Sequence, residues 1–162
     1  PVTTNGDFDP QDALLRIATA IMPEAAVRAG EDGDQLVLDI VGDGSGVFIG
    51  RKGSTLEALQ FLLNRMAKKR GWEGKRLIVD SEGYRDRRAA ALRDKAEELA
   101  ERVLAERRPL RTEMLDAASR KIVHATITKF PELRTRSIGD GDRKRVQISI
   151  GDAAPPRRRG RR

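Results

Sequence analysis

The sequence predicts an α+β fold organised as two small domains. Apolar residues recur at helical spacing in four segments and alternate or cluster in five strand-length runs between them. This mixture occurs twice, once on each side of a long, highly charged helical stretch. A chain of 162 residues has room for one domain or two small ones.

Residues 1–8 read as a flexible lead. Asp9-Pro10 starts a helix, with Asp9 as cap and Pro10 in the first turn, and Ala13, Leu14, Ile17 and Ile21 continue it up to Pro23. Residues 24–29 are expected as a strand, Gly30-Glu31-Asp32-Gly33 as a turn, and residues 35–41 as the second strand of a hairpin. The loop Gly42–Gly46 and the apolar, strand-like Val47-Phe48-Ile49 lead to Gly50-Arg51-Lys52-Gly53. From Ser54, Leu56, Leu59, Leu62, Leu63 and Met66 mark an amphipathic helix that ends at Lys68-Lys69-Arg70-Gly71. Leu77-Ile78-Val79 is a third strand.

A long helix is expected from about Gly83 to Arg108. Leu92, Ala96, Leu99 and Val103 give it one narrow apolar stripe, and Glu98 and Arg102 are spaced as an ion pair. Such a helix suits a position between two domains, and Pro109 stops it. Residues 115–128 are helical by pattern, with Leu115, Ala118, Ile122, Ala125 and Ile127 near one face. Thr135–Ile138 and Arg145–Ile150 are strands around the turn Gly139–Asp142. The resulting boundaries are 9–82 for the first domain, 83–108 for the linking helix and 109–150 for the second domain. Residues 151–162 are a basic tail expected to be disordered.

Composition narrows the function. The chain has no Cys, which removes disulfides and thiolate metal sites, and only 4% aromatic residues, too few for extensive base stacking. No apolar run approaches membrane-spanning length and no signal-peptide pattern opens the chain, so a soluble cytoplasmic protein is expected. The net charge of +7 is unevenly spread. Residues 1–48 hold nine acids and two bases, residues 49–76 eight bases and two acids, and residues 107–162 sixteen bases and six acids. Two basic blocks of this kind are the electrostatic footprint of a nucleic-acid binder, set against the plainer reading of a solvated surface.

Gly50-Arg51-Lys52-Gly53 sits in the first basic block. Glycines allow a sharp turn and close backbone approach, while the two cations and the free N–H groups of the following helix favour an anion. A triphosphate-binding loop needs Gly, four residues, then Gly-Lys-Ser/Thr, and this sequence fails that test. It also lacks the parallel βαβ context of a dinucleotide loop. A clamp on a sugar–phosphate backbone remains, against the alternative of a structural turn with surface cations. Lys68, Lys69 and Arg70 form a further candidate contact. Trp72 is read either as a base-stacking residue or as cover for the sheet edge.

Arg120 and His124 lie at i,i+4 on one helix face. His124 is the single histidine, so a zinc site lacks partners, and no nucleophile or carboxylate pair stands beside it for acid–base work. A guanidinium and an imidazole side by side can both donate to a phosphate.

The run Val47–Leu56, with its Gly-x-x-Gly loop, resembles the signature of a KH domain, a clamp for about four nucleotides of backbone. The order of elements around it resembles the second, bacterial-type (type II) KH topology. Arg120-Lys121-Ile122-Val123-His124 matches the Arg-x-x-x-His core of the R-three-H domain, and Thr135–Gly139 and Arg143–Ile148 resemble its closing strands. Leu77–Arg85 is similar to the junction between these two domains in the Jag (sporulation-associated) KH–R-three-H family of bacterial RNA-binding proteins. The resemblance covers roughly Asp9 to Ile150.

Two departures stand out. Ser119 occupies a position where members commonly carry an acid, and Pro109–Met114 differs from the usual entry to the motif helix. Many members have an extra N-terminal domain that this sequence lacks, which implies a short form or a fragment.

The resemblance implies a type II KH-like domain joined by a long helix to a small R-three-H α/β domain. It further implies single-stranded RNA binding without catalysis, metal or cofactor, through Gly50, Arg51, Lys52, Gly53, Arg120 and His124, with Lys68–Arg70 contributing. A role as an RNA chaperone or post-transcriptional regulator linked to the cell envelope and cell shape, and a small single-KH protein as partner, follow from the same resemblance. The alternatives are a single-stranded DNA binder and a nuclease using His124.

Overall fold

Asp9 opens the first helix, α1 (Pro10–Ile21), and its carboxylate accepts hydrogen bonds from the backbone N–H groups of Gln11 and Asp12. This chain is described by a computed structural model covering residues 8–42 and 44–151. It divides into two compact units, Pro1–Asp86 and Arg87–Arg162. The expected basic tail lies outside the described residues, as does the lead apart from Phe8. Phe8 is buried in the first core and meets Trp72 edge-on, with ring centroids 6.5 Å apart, so it is part of the domain rather than of a flexible lead.

In the first unit, β1 (Ala26–Asp32) and β2 (Gln35–Val41) form an antiparallel hairpin, and β3 (Arg76–Ser81) runs parallel to β2, giving the order β1-β2-β3. The hairpin turn is tighter than the sequence suggested. Gly30, Glu31 and Asp32 all pair with β2, and only Gly33 and Asp34 cross over, with Gly33 at φ 57°. A two-residue hairpin needs positive φ, which only Gly33 supplies cheaply at that point.

Val47-Phe48-Ile49 forms a turn rather than a strand, and Phe48 is fully buried there as an anchor. A short 3-10 turn (Arg51–Gly53) then enters α2 (Ser54–Lys69). The buried stripe of α2 is Leu56, Leu59, Leu63 and Ala67. Leu62 and Met66, expected inside, are exposed beside Phe61, which is 63% exposed. The core of this unit joins Leu14 and Ala18 of α1, Leu36, Leu38 and Ile40 of β2, the α2 stripe, and Leu77 and Val79 of β3.

Gln60 on α2 serves the outer edge of β3. Its side chain accepts from Val79 N–H (2.8 Å) and donates to the Leu77 carbonyl (2.9 Å), occupying backbone groups that an edge strand otherwise leaves open.

The long helix α3 (Tyr84–Glu106) begins where Asp80 accepts from the N–H groups of Ser81 and Arg85. Tyr84 packs on the first core, whereas Leu92, Ala96, Leu99, Ala100 and Val103 belong to the core of the second unit. The stripe expected to face a domain boundary is therefore part of one domain's interior. Glu98 pairs with Lys95 (2.6 Å) and Arg102 with Glu106 (3.3 Å), so the expected Glu98–Arg102 pair is replaced by two others.

The second unit adds β4 (Leu110–Arg111), α4 (Ala117–Ile127), β5 (Leu133–Ile138) and β6 (Arg145–Ile150) in an antiparallel sheet of order β4-β6-β5. The face of α4 that packs inward is Ser119, Val123, Thr126 and Ile127; Ala118 and Ala125, expected inside, are exposed. The buried hydroxyls are satisfied locally: Ser119 donates to Asp116 (2.8 Å) and Thr126 to the Ile122 carbonyl (2.9 Å). Among the described residues, no helix is long and apolar enough to cross a membrane.

Candidate nucleic-acid interface

The loop Gly50–Gly53 is a turn built on positive φ angles. Gly50 (φ 68°, ψ −177°) and Gly53 (φ 86°) flank Lys52, which is itself at φ 57° despite carrying a Cβ. A Cβ on Gly50 would sit 2.1 Å from Thr55 Oγ1 and 2.9 Å from Thr55 N, and one on Gly53 would sit 3.0 Å from the Tyr84 ring. Close packing thus surrounds both glycines, and the loop holds Arg51 and Lys52 out as exposed residues.

The donors expected to be free at the start of α2 are already used. Ser54 N–H bonds to the Arg51 carbonyl, while Thr55 and Leu56 N–H both bond to the Ile49 carbonyl at 3.2 and 3.3 Å. The amides of Ser54, Thr55 and Leu56 are thus not open to an anion, which at this loop would meet the two cationic side chains and the helix dipole.

Lys68, Lys69 and Arg70 are exposed at the opposite end of α2. Sixteen helical residues at about 1.5 Å each place them roughly 24 Å from the loop. They complement the negative end of the helix dipole and do not join the loop in one site. Trp72 is half-buried against the first core: its indole N–H donates to the Lys75 carbonyl (2.9 Å), and the ring contacts Phe8.

In the second unit, Asp116 caps α4. Burial raises its pKa, but donation from the Ser119 N–H and hydroxyl outweighs this and holds the carboxyl below its ordinary value. Ser119, one of the two departures from the resembled family, thus belongs to the helix cap. Arg120 Nε donates to the Asp116 carbonyl (3.3 Å), which orients the guanidinium at the start of the helix. Asp116→Ala is expected to cost about 1 kcal/mol, the usual worth of such a cap. Thermal unfolding of the variant checks this.

One turn on, His124 is bracketed by two hydroxyls of β5. Nδ1 lies 2.7 Å from Thr135 Oγ1 and Nε2 3.1 Å from Ser137 Oγ. Burial, and then the positive charge of Arg120, push the imidazole below its ordinary pKa, so it is neutral at pH 7. A neutral ring donates through one nitrogen and accepts through the other. In either tautomer, one hydroxyl receives the ring N–H and keeps its own proton for an outside acceptor. Thr135 and Ser137 were not singled out from the sequence; their alternation on β5, which places them on one face, was the available signal.

The structure thus brings Gly50, Arg51, Lys52 and Gly53 together, and separately Arg120 and His124. Among the described residues, no three His, Cys, Asp or Glu side chains are grouped so as to hold a metal ion.

Comparison with known proteins gives the same two parts. The family model for the KhpA/KhpB KH domain matches residues 11–80, and that for the R-three-H domain matches residues 90–149. The protein named RNA-binding protein KhpB of Bacillus subtilis (strain 168) is 30% identical over 138 residues, covering 84% of this chain and 66% of that protein. The protein of the same name in Clostridium symbiosum is 30% identical over 127 residues, covering 78% and 57%. A third, from Lactiplantibacillus plantarum, is 29% identical over 142 residues, covering 85% and 44%. The chain therefore spans about half to two thirds of the length of these relatives. With a KH match followed by an R-three-H match and relatives of that kind, the chain belongs to the Jag (KhpB) KH–R-three-H family.

Proposed function

We propose that the chain binds single-stranded RNA through its phosphate backbone and performs no chemistry on it. The observation that carries this reading is the Gly50–Gly53 loop. A lysine is held at positive φ between two glycines that their neighbours pack tightly, and both loop cations are exposed. Strain of this kind, of order 1 kcal/mol or more, persists where the surroundings enforce it, and often at functional sites. The names of the relatives support RNA as the ligand.

In this reading Arg51 and Lys52 contact phosphates, and Arg120 contacts another. His124 acts beside Arg120 through the hydroxyl that its ring leaves free to donate. Both ring nitrogens of His124 meet hydroxyls, where an imidazole activated for nuclease chemistry would hold a carboxylate at one of them, and this favours binding over catalysis. A cytoplasmic setting and a small single-KH partner belong to the same proposal. The exposed Phe61, Leu62 and Met66 on α2 offer that partner an apolar contact.

The test is a competition between matched RNA and DNA single strands, with and without magnesium, run together with a gel that detects cleavage. Preferential retention of intact RNA is expected. DNA preference, or cleavage that disappears in His124→Ala, would replace this reading by one of its rivals.

Proton linkage at His124 gives a second prediction. Protonation lets both ring nitrogens donate, frees both hydroxyl protons and adds a charge, so a bound phosphate favours the protonated form. RNA affinity is expected to rise severalfold as pH falls from the ordinary histidine value near 6.5 toward the lowered folded value. His124→Gln should flatten that rise. Folding stability has the opposite sign. The folded pKa is lowered, so the contribution is intact above about 6.5 and is lost as pH falls through the folded value.

A further inference from the structure

Strand register places four arginines on the outer face of the second sheet. Arg111 of β4 and Arg136 of β5 both flank Gln147 of β6; Arg134 pairs with Ser149, and Arg145 with Ile138. The opposite face carries Leu110, Leu133, Val146 and Ile148, which pack with α3 and α4 into the core. The arginine face is thus the side turned away from both helices of this unit, and all four arginines are exposed. No acid occupies any registered position on it. The acids nearest in sequence, Glu132, Asp140 and Asp142, lie in the flanking turns, and Glu113 pairs with Arg88 of α3 (3.7 Å).

Several of these side chains are pre-oriented. Arg111 Nε donates to the Gln147 side chain (3.1 Å), and Arg134 donates to the carbonyls of Pro131 and Leu133, both at 2.8 Å. Arg134 and Arg136 stand about 6.6 Å apart along the strand, two residues at the usual rise. Arg120 and His124 lie on the helix-covered side, so this face is separate from them. Concentrating four guanidiniums on one sheet face costs self-repulsion that a bound polyanion would relieve.

We propose that this open sheet face is a second contact surface for the phosphate backbone of single-stranded RNA, independent of base sequence. The inference rests on the reading of the chain as an RNA binder. A lipid surface is the other polyanion to consider, but Ile138 is the one apolar side chain on the face, and a membrane-seated patch needs apolar residues to insert. Guanidiniums suit phosphate because they present paired N–H donors in a fixed fork.

The experiment compares the full chain with Arg134→Gln/Arg136→Gln/Arg145→Gln and with the corresponding triple lysine variant. Each is titrated with oligouridylate across a salt series and, separately, with phosphatidylserine vesicles, with Arg51→Asp/Lys52→Asp as the reference for the loop. The triple glutamine variant should weaken binding at least tenfold at low salt and flatten the slope of log K against log salt by about 2, three contacts at about 0.7 each. The lysine variant should keep the slope. If the glutamine triple unfolds at a different temperature from the parent, Arg136→Gln alone carries the test, with an expected loss of about 0.7 in slope. Unchanged slope and affinity in the glutamine variant, while the loop variant is weakened, overturns this surface and leaves the RNA reading standing. A loss confined to binding of phosphatidylserine vesicles overturns it in favour of a lipid surface. Failure of the parent chain to bind any RNA overturns both.

Discussion

Reversing both loop cations, Arg51→Asp with Lys52→Asp, is expected to weaken single-stranded RNA binding about a hundredfold at moderate salt, about 2.7 kcal/mol, without unfolding the domain. Both residues are exposed, and neither belongs to the core. Aspartate tolerates the left-handed conformation of position 52 better than lysine does, and acids at the entry of α2 suit the helix dipole. Stability should therefore hold or rise slightly while affinity collapses. Equal thermal unfolding with lost binding marks the loop as the contact. Equal unfolding with unchanged affinity removes it from the interface.

Gly50→Ala should do the reverse and damage the fold first. The ψ of −177° at φ 68° lies in a region that only glycine occupies readily, and holding alanine there costs about 1–3 kcal/mol. Overlap adds to this, because the new methyl would stand 2.9 Å from the Thr55 nitrogen as well as 2.1 Å from its hydroxyl. Removing the hydroxyl in Gly50→Ala/Thr55→Ala should recover only part of the loss, since the backbone contact persists. Chemical denaturation of these two variants and of Thr55→Ala alone separates the two contributions. Full recovery in the double variant would show the side chain, not the backbone, to be the obstacle.

Much of the fold was legible because local signals agreed with each other. Asp9-Pro10 marks a helix start, and the acid does cap it. The breakers between the apolar runs separate every helix from the strand that follows. What escaped has physical reasons. β4 is two residues long, too short to show alternation, and it exists because Arg111 and Leu110 find partners on β6. The face of α4 was misread because Ser119 and Thr126 are buried with their hydroxyls bonded within the helix, so hydropathy points the wrong way. Leu62 and Met66 fit a helical stripe as well as Leu63 does, but α2 buries a narrower one.

The candidate site was legible in type and less so in arrangement. Gly50, Gly53, Arg120 and His124 stand out as residues. That Thr55 and Tyr84 fix the glycines, or that Thr135 and Ser137 hold the imidazole, depends on contacts across 5 to 31 residues that no local pattern encodes. The basic run Lys68–Arg70 was read as a further contact, and α2 places it at the far end of the helix from the loop.

The most direct measurement is a titration of the isotope-labelled chain with a short single-stranded RNA, followed by backbone amide chemical shifts. The largest changes are expected at Gly50–Thr55 and around Arg120, His124, Thr135 and Ser137. Saturating RNA that leaves the amides of Gly50, Arg51, Lys52 and Gly53 unshifted would contradict the loop as a backbone clamp.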